Sequence, residues 1–277
     1  MPEALLEVRE LTKSFRVRRA ASGREDVIAV DGVSFSVPVG GSVALVGESG
    51  SGKSTCARMI VGLERPSAGE IVVEGETWPA GHVSTRERRR RGGLVQMVFQ
   101  DPYQSLDRRQ CVRDTIEESL RLHAPTLGKA ARSARADELI DQVGLDTRQA
   151  AALPRALSGG QRQRVAIARA LAAEPRLLIL DEAVAALDVS IQAQVLNLLA
   201  DIRERTAVAF LFISHDLAVV RQVCDTAVVL HHGQVAETGQ VEQILDAPQA
   251  DYTRRLIASI PRAGWRPRRR IVAAVGD

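Results

Sequence analysis

The stretch "SVALVGESGSGKSTCARMIVGL", Ser42 to Leu63, constrains the fold of this 277-residue chain more than any other part of it. The apolar run from Ser42 to Gly47 has the length of a short buried strand, and "STCARMIVGL" continues with helical spacing. At their junction Gly47, Gly52, Lys53 and Ser54 satisfy G-x-x-x-x-G-K-[ST], the pattern of a loop that cradles phosphates. Glycines let the backbone turn several N–H groups toward one anion, so Glu48, Ser49, Gly50, Ser51 and Thr55 belong to the candidate cradle as well. Lys53 is expected to reach the β- and γ-phosphates of a nucleotide, and the Ser54 hydroxyl to ligate Mg2+.

The remaining pattern places this strand in an α/β fold. Leu5 to Phe15 and Val27 to Val39 alternate apolar and polar residues, which predicts antiparallel strands around a polar insert, "RVRRAASGRED". "EIVVEGE" after Gly69, "GLVQMVFQ" up to Gln100, "RLLILDE" and "AFLFISHD" are further candidate strands. "QAQVLNLLADIRERT" reads as the helix between the last two. Strand, helix and strand in alternation imply a mostly parallel sheet flanked by helices. From about Cys111 to Leu157 the spacing is helical, clearest in "DTIEESLRL" and "ARADELIDQVGL", and "VVLHHGQVAETG" reads as a closing hairpin.

A phosphate cradle needs an acidic residue after a neighbouring buried strand, and "LLILDE" supplies two. Asp181 is expected in the Mg2+ shell, and Glu182 beside the γ-phosphate, polarising the attacking water. These two motifs alone fit a kinase, a GTPase, a helicase or a transport ATPase. A second feature separates them. "LSGGQRQR", Leu157 to Arg164, opens an Arg-rich helix with Ser158, Gly159, Gly160 and Gln161, a second helix end suited to an anion.

With that motif the chain resembles the ATP-binding-cassette (ABC) ATPases over nearly its whole length. "GESGSGKS", Gln100 in "MVFQDPYQSLD", "LSGGQ", "LLILDE", "AALD" and "ISHD" stand in that family's order. The resemblance implies a P-loop NTPase with a mostly parallel core sheet, an N-terminal antiparallel β sub-domain and an inserted helical sub-domain. It implies that two such domains face each other head to tail. Each ATP is then held by one cradle and covered by the other subunit's LSGGQ helix end. Ser158, Gly159, Gly160 and Gln161 would contact the partner's ATP, and Asp188 would cross the interface. Phe15 would stack on adenine. Gln100 would touch Mg2+ or the water, and His215 would bond the γ-phosphate and position Glu182. Where relatives often read "DEPVSALD", Ala183 and Ala185 stand here; Asp181, Glu182 and Asp188 are kept.

"VFQDPYQSLDRR" and "VEQILDAPQADYTRRLIASIP" resemble the ATP-binding subunits of oligopeptide, dipeptide and nickel or metallophore importers. In those a P-x-H-P-Y-T-x-x-L-x-x-x-x-P stretch follows the last strand. Pro248, Tyr252, Thr253, Leu256 and Pro261 match it, while Ala250 and Asp251 replace the His-Pro pair. The implied organisation is an ATPase domain over 1–240, with the helical sub-domain at about 101–165, and an extension over 241–277. The implied partners are two transmembrane permease subunits, a second ABC ATPase (identical or different) and, indirectly, a substrate-binding protein. The implied location is the cytoplasmic face of the cell membrane, as a peripheral protein; ATP and Mg2+ are the implied cofactors.

Composition bears on the alternatives. Lys+Arg 37 against Asp+Glu 34 gives a net charge of only +3, which does not by itself argue for nucleic acid, and none is expected as a partner. The local runs "RERRRR" (Arg86 to Arg91) and "RPRRR" (Arg266 to Arg270) read as solvated surface, or as contacts for acidic lipid or nucleic-acid phosphates. Cys56, Cys111 and Cys224 lie far apart, without the spacing of a metal site or disulfide scaffold, and no cysteine follows Cys224 to hold a cluster. Neither a leader sequence nor an apolar run of about 20 residues is apparent. The competing reading is a soluble ABC ATPase acting on nucleic acid or the ribosome. Such relatives carry two cassettes or long coiled-coil insertions, and neither is seen here.

Overall fold

The computed structural model describes residues 4–19, 23–81 and 83–259. The chain begins with a long antiparallel ribbon, β1 (Ala4–Arg19) with β2 (Gly23–Pro38). The expected polar insert is largely absorbed into it: Arg16 pairs with Asp26 and Arg19 with Gly23, while Ala20 to Ser22 lie outside the described residues. An exposed ribbon needs no apolar face, and its ladder is helped by cross-strand pairs such as Arg16–Asp26, 3.5 Å apart. Polar composition therefore hid the strand ends.

β3 (Ser42–Val46) leads through the glycine-rich loop into α1 (Lys53–Ile60). β4 (Ala68–Val73) and β5 (Glu76–Trp78) complete a four-stranded antiparallel sheet in the order β2-β1-β4-β5. α2 (Thr85–Leu94) precedes β6 (Val95–Val98). Five helices follow: α3 (Pro102–Ser105), α4 (Val112–His123), α5 (Lys129–Gln142), α6 (Thr147–Ala150) and α7 (Gly159–Leu171). Then come β7 (Leu177–Asp181), α8 (Val189–Arg205), β8 (Ala209–Ser214) and α9 (Leu217–Val223). The hairpin β9 (Thr226–His231) and β10 (Gln234–Gln240) is followed by α10 (Val241–Asp246) and α11 (Asp251–Ala258). Pro261 and Arg266 to Arg270 lie outside the described residues.

The second sheet runs β10-β9-β3-β8-β7-β6, parallel throughout except for β10 against β9. Its inner strands β3, β7, β8 and β9 are apolar on both faces, as a covered parallel sheet requires. Leu177, Ile179, Leu211 and Ile213 point into one core, shared with α1 and the antiparallel sheet. Leu178, Leu180, Phe210 and Phe212 point into the other, shared with α4, α5, α7, α8 and α9. The order β3-β8-β7-β6 also decides where chemistry is possible. The loops after these four strands leave the same sheet edge side by side, and they carry the glycine-rich turn, His215, Asp181 with Glu182, and Gln100.

Candidate functional site

The glycine-rich loop is built to leave its helix end open. Gly52 occupies the N-cap of α1 at φ 103°, with no side chain capping the helix. A Cβ there would stand 2.5 Å from the Ala29 carbonyl oxygen, so only glycine fits. The first N–H groups of a helix lack intrahelical partners, and here they are left for a ligand. Lys53 is buried and folded back: its Nζ donates to the carbonyls of Gly47 (2.8 Å) and Glu48 (2.7 Å) and reaches Ser51 Oγ at 3.3 Å. Burial lowers its pKa, with the carboxylates of Glu182, Asp181 and Glu48 opposing. Glu48, Ser49 and Gly50 form the exposed rim of the loop.

Asp181, 5% exposed, accepts a 3.0 Å hydrogen bond from Ser54 Oγ. Burial raises its pKa, against the lowering effect of the Ser54 bond. Two hard oxygen donors side by side, with Gln100 nearby on the next loop, suit Mg2+, which takes few protein ligands and completes its shell with phosphate and water oxygens. Ser54, Asp181 and Gln100 are therefore the residues that would hold it.

Glu182 follows immediately after β7 at φ 48°, a left-handed conformation that non-glycine residues seldom adopt. Its N–H donates to the Ile213 carbonyl at 2.9 Å, which ties the strained residue to β8. Each carboxylate oxygen has a neighbour: Gln100 Nε2 donates to Oε2 at 2.9 Å, and His215 Nδ1 lies 3.4 Å from Oε1. Residues 82 and 33 positions away in sequence thus converge on one carboxylate.

The remaining candidates lie elsewhere. Ser158 caps α7 in a closed capping box: its Oγ accepts the Gln161 N–H at 3.3 Å, and Gln161 Oε1 accepts the Ser158 N–H at 2.8 Å. The Gln161 side chain is thus occupied with its own helix, and Gly159 and Gly160 retain the first-turn N–H groups. Gly160 is required for another reason, since a Cβ would fall 2.2 Å from Ile191 Cγ2 on α8. Asp188 is exposed at the N-cap of α8, with its carboxylate uninvolved in the cap. Phe15 is half-buried on β1, and Lys13 Nζ stands 4.7 Å from its ring centroid. Tyr252 matches the C-terminal pattern in the sequence, but its contact with the loop has no sequence signal: its hydroxyl accepts the Glu48 N–H at 3.1 Å.

The model of the ABC transporter family matches residues 30–185, more than half of the chain and including the phosphate loop, Gln100, the LSGGQ segment and Glu182. The chain belongs to the ABC transporter family. Among curated ABC proteins it is 44% identical over 261 residues to the glutathione import ATP-binding protein GsiA of Escherichia coli K12, covering 94% of this chain and 41% of that protein. To GsiA of Salmonella typhimurium LT2 it is 43% identical over 275 residues, covering 96% and 43%. The chain thus spans about two fifths of the length of these curated relatives. Two solved ABC cassettes share its fold. The dimeric cassette MJ0796, in a post-hydrolysis state bound to ADP and Pi, matches with TM-score 0.75 and 28% identity over 85% of this chain and 98% of that one. CbiO1 of Clostridium perfringens, part of the ABC transporter complex cbiONQ, matches with TM-score 0.75 and 26% identity over 95% and 98%. The mostly parallel sheet, the antiparallel N-terminal sheet and the helices between β6 and β7 are the architecture expected from sequence. Among the described residues no helix is long and apolar enough to cross a membrane.

Proposed function

We propose that this chain is the ATP-binding and ATP-hydrolysing part of an ABC importer, coupling ATP-driven closure of two cassettes to transport of peptides or a related small solute. The observation that carries the hydrolytic reading is the Glu182 carboxylate held between Gln100 and His215, one residue beyond the Asp181–Ser54 pair. In that position Glu182 orients and polarises a water toward the γ-phosphate, while His215 and Gln100 fix the carboxylate. Lys53 exchanges its loop carbonyls for the β- and γ-phosphates when ATP enters. Mg2+, when bound, neutralises charge on the same phosphates. Ser158, Gly159 and Gly160 of a second cassette cover the ATP, Gln161 supports that helix end through its capping bond, Asp188 lies at the junction, and Phe15 stacks on adenine.

A docking surface supports the transport half of this reading. A groove of about 380 Å3 lies between the end of α1, β6 and α4, lined by Val61, Leu63, Phe99, Leu122, His123 and Arg169 among others. Leu63 is 60% and Leu122 45% exposed, an apolar pair that a membrane partner's helix would cover. The groove adjoins Gln100, so nucleotide state and partner meet at one loop. On this reading the partners are two permease subunits at the cytoplasmic face of the membrane, a second ATPase, identical or different, and a binding protein that delivers the solute. Residues 1–240 form the ATPase domain, with the helical part at about 101–165, and 241–277 the extension. The peptide-like cargo is favoured by likeness to the glutathione importer.

The test is capture. A tagged Glu182→Gln form, purified with ATP and Mg2+ from gently solubilised membranes of its own host, should retain two multi-span permeases, identified by mass spectrometry. Ribosomal or DNA-bound proteins without a permease would overturn the transport reading.

A further inference from the structure

The C-terminal segment reaches the phosphate loop through one side chain. Tyr252, on α11, is 8% exposed, and its hydroxyl accepts the Glu48 N–H at 3.1 Å. That N–H belongs to the same peptide unit as the Gly47 carbonyl, which accepts from Lys53 Nζ at 2.8 Å. One peptide plane is therefore held from both sides, by Tyr252 at its N–H and by Lys53 at its C=O.

Tyr252 is itself fixed without help from the loop. Its ring stacks on His231 at the end of β9, with centroids 3.8 Å apart and planes at 23°. The start of α11 is tied to β10, because the Glu237 carboxylate accepts the N–H groups of Gln249 (2.8 Å) and Ala250 (3.1 Å). Thr253 and Ile257 on the same helix are buried. Glu48, Ser49 and Gly50 are exposed, by contrast. The anchored partner in this contact is the helix and the yielding one is the loop.

We infer that Tyr252 is a positioning residue for nucleotide binding: its hydroxyl fixes the Gly47–Glu48 peptide, so that α11 sets how well the phosphate loop is prepared for ATP. This rests on the reading of the loop as the ATP site. It gives the "YT" of the C-terminal segment a physical role at the active site. When ATP draws Lys53 away from the Gly47 carbonyl, the Tyr252 bond is the one that still keeps that peptide from turning, and the N–H groups further along the loop stay aimed at the phosphates.

The test is Tyr252→Phe in the full chain, which removes the hydroxyl and keeps the ring on His231. The readouts are fluorescent-ATP affinity, steady-state hydrolysis, thermal unfolding and exchange of the Glu48 amide followed by NMR. Losing one hydrogen bond of ordinary strength should raise Kd and KM for ATP about three- to tenfold. The maximal rate should stay near wild type, the unfolding midpoint without nucleotide should fall by no more than about 1–4 °C, the cost of one hydrogen bond, and the Glu48 amide should exchange faster. Tyr252→Ala should add a loss of stability that Phe restores, while Phe does not restore affinity. Unchanged Kd and unchanged exchange in Tyr252→Phe would overturn the inference, as would a weakened affinity that comes with an unfolding midpoint lowered as far as in Tyr252→Ala. Should the wild-type chain fail to bind ATP, the nucleotide reading would fall; amide exchange, which needs no nucleotide, would still decide whether Tyr252 fixes the Gly47–Glu48 peptide.

Discussion

The starts of α1 and α7, the two helix ends proposed to meet phosphate, are constructed in opposite ways. At α1 the N-cap is Gly52 at φ 103°, no side chain caps the helix, and Lys53 is buried beneath the loop. At α7 the N-cap is Ser158 in extended conformation, and a reciprocal Ser158–Gln161 box closes the helix. An uncapped helix end is unstable unless a ligand completes it, whereas a capped one is stable alone and presents its remaining N–H groups outward. Their neighbours differ as well. The α1 loop leans on Ala29, Leu230 and Tyr252, and the start of α7 leans on Leu187 and Ile191 beside Asp188. On the proposed reading this difference fits α1 as the end that holds nucleotide within its own chain, and α7 as a preformed cover for nucleotide held by another.

If so, damage at α7 should lower turnover and leave the ATP affinity of a single chain untouched. The largest effect belongs to the α1 side. Glu182→Gln should lower phosphate release by about a hundredfold or more while ATP still binds, as expected when a positioned base is removed; an unchanged rate would contradict the role of Glu182. On the α7 side, Gly160→Ala forces a Cβ to within 2.2 Å of Ile191 Cγ2. It should destabilise the chain by about 1–3 kcal/mol in denaturant unfolding, the usual cost of overpacking. A milder change, Ser158→Ala, opens the capping box and should cost about 1 kcal/mol. Hydrolysis should fall with it, while the affinity of an isolated chain for ATP stays as in wild type. A raised Kd would make α7 part of the same-chain site and erase the contrast.

The smallest effect on stability concerns charge. Burial raises the Asp181 pKa and lowers that of Lys53, so both charged forms are held at some expense in the nucleotide-free chain. A carboxyl whose folded pKa lies above its unfolded value keeps its proton longer when folded. Its contribution therefore favours the folded state at acidic pH and weakens as pH rises from the ordinary carboxylate value through the raised one. Asp181→Asn, which keeps a group able to accept from Ser54, should raise the unfolding midpoint of the nucleotide-free chain by about 1–3 °C while removing Mg2+-dependent hydrolysis. A lowered midpoint would mean that attraction to Arg58 and Lys53 outweighs the cost of burial.

The chain shows which parts of such a site can be read from sequence. The phosphate loop, "LLILDE" and "LSGGQ" are local: neighbouring residues do one task, so their order and spacing carry the information. The β7 and β8 strands were equally plain because both faces are covered and the runs are wholly apolar. The ribbon ends at Arg16 to Arg19 were not, because an exposed two-stranded ribbon tolerates any polar sequence. "RERRRR" looked like solvated surface, and Arg86, Arg88 and Arg89 are exposed, but Arg91 is buried with its guanidinium 4.8 Å from the Trp78 ring centroid. Arg90 joins Glu76 and Glu87. Tyr252 was recognised as a family-like residue without a task, since its partner Glu48 lies 204 positions away. The left-handed turn of Glu182 has no sequence signal either; it is held by a bond from its N–H to a residue of β8 far away in sequence.

The central claim is that one chain contributes two half-sites to different nucleotides, and mixing tests it most directly. Lys53→Ala spoils the cradle and leaves α7 intact; Ser158→Glu sets a negative charge at the α7 start and leaves the cradle intact. Each alone should hydrolyse almost no ATP. Mixed, they should recover a measurable fraction of the wild-type rate, because a pair formed from one of each contains one site with both halves sound. A mixture as inactive as its parts would contradict the account.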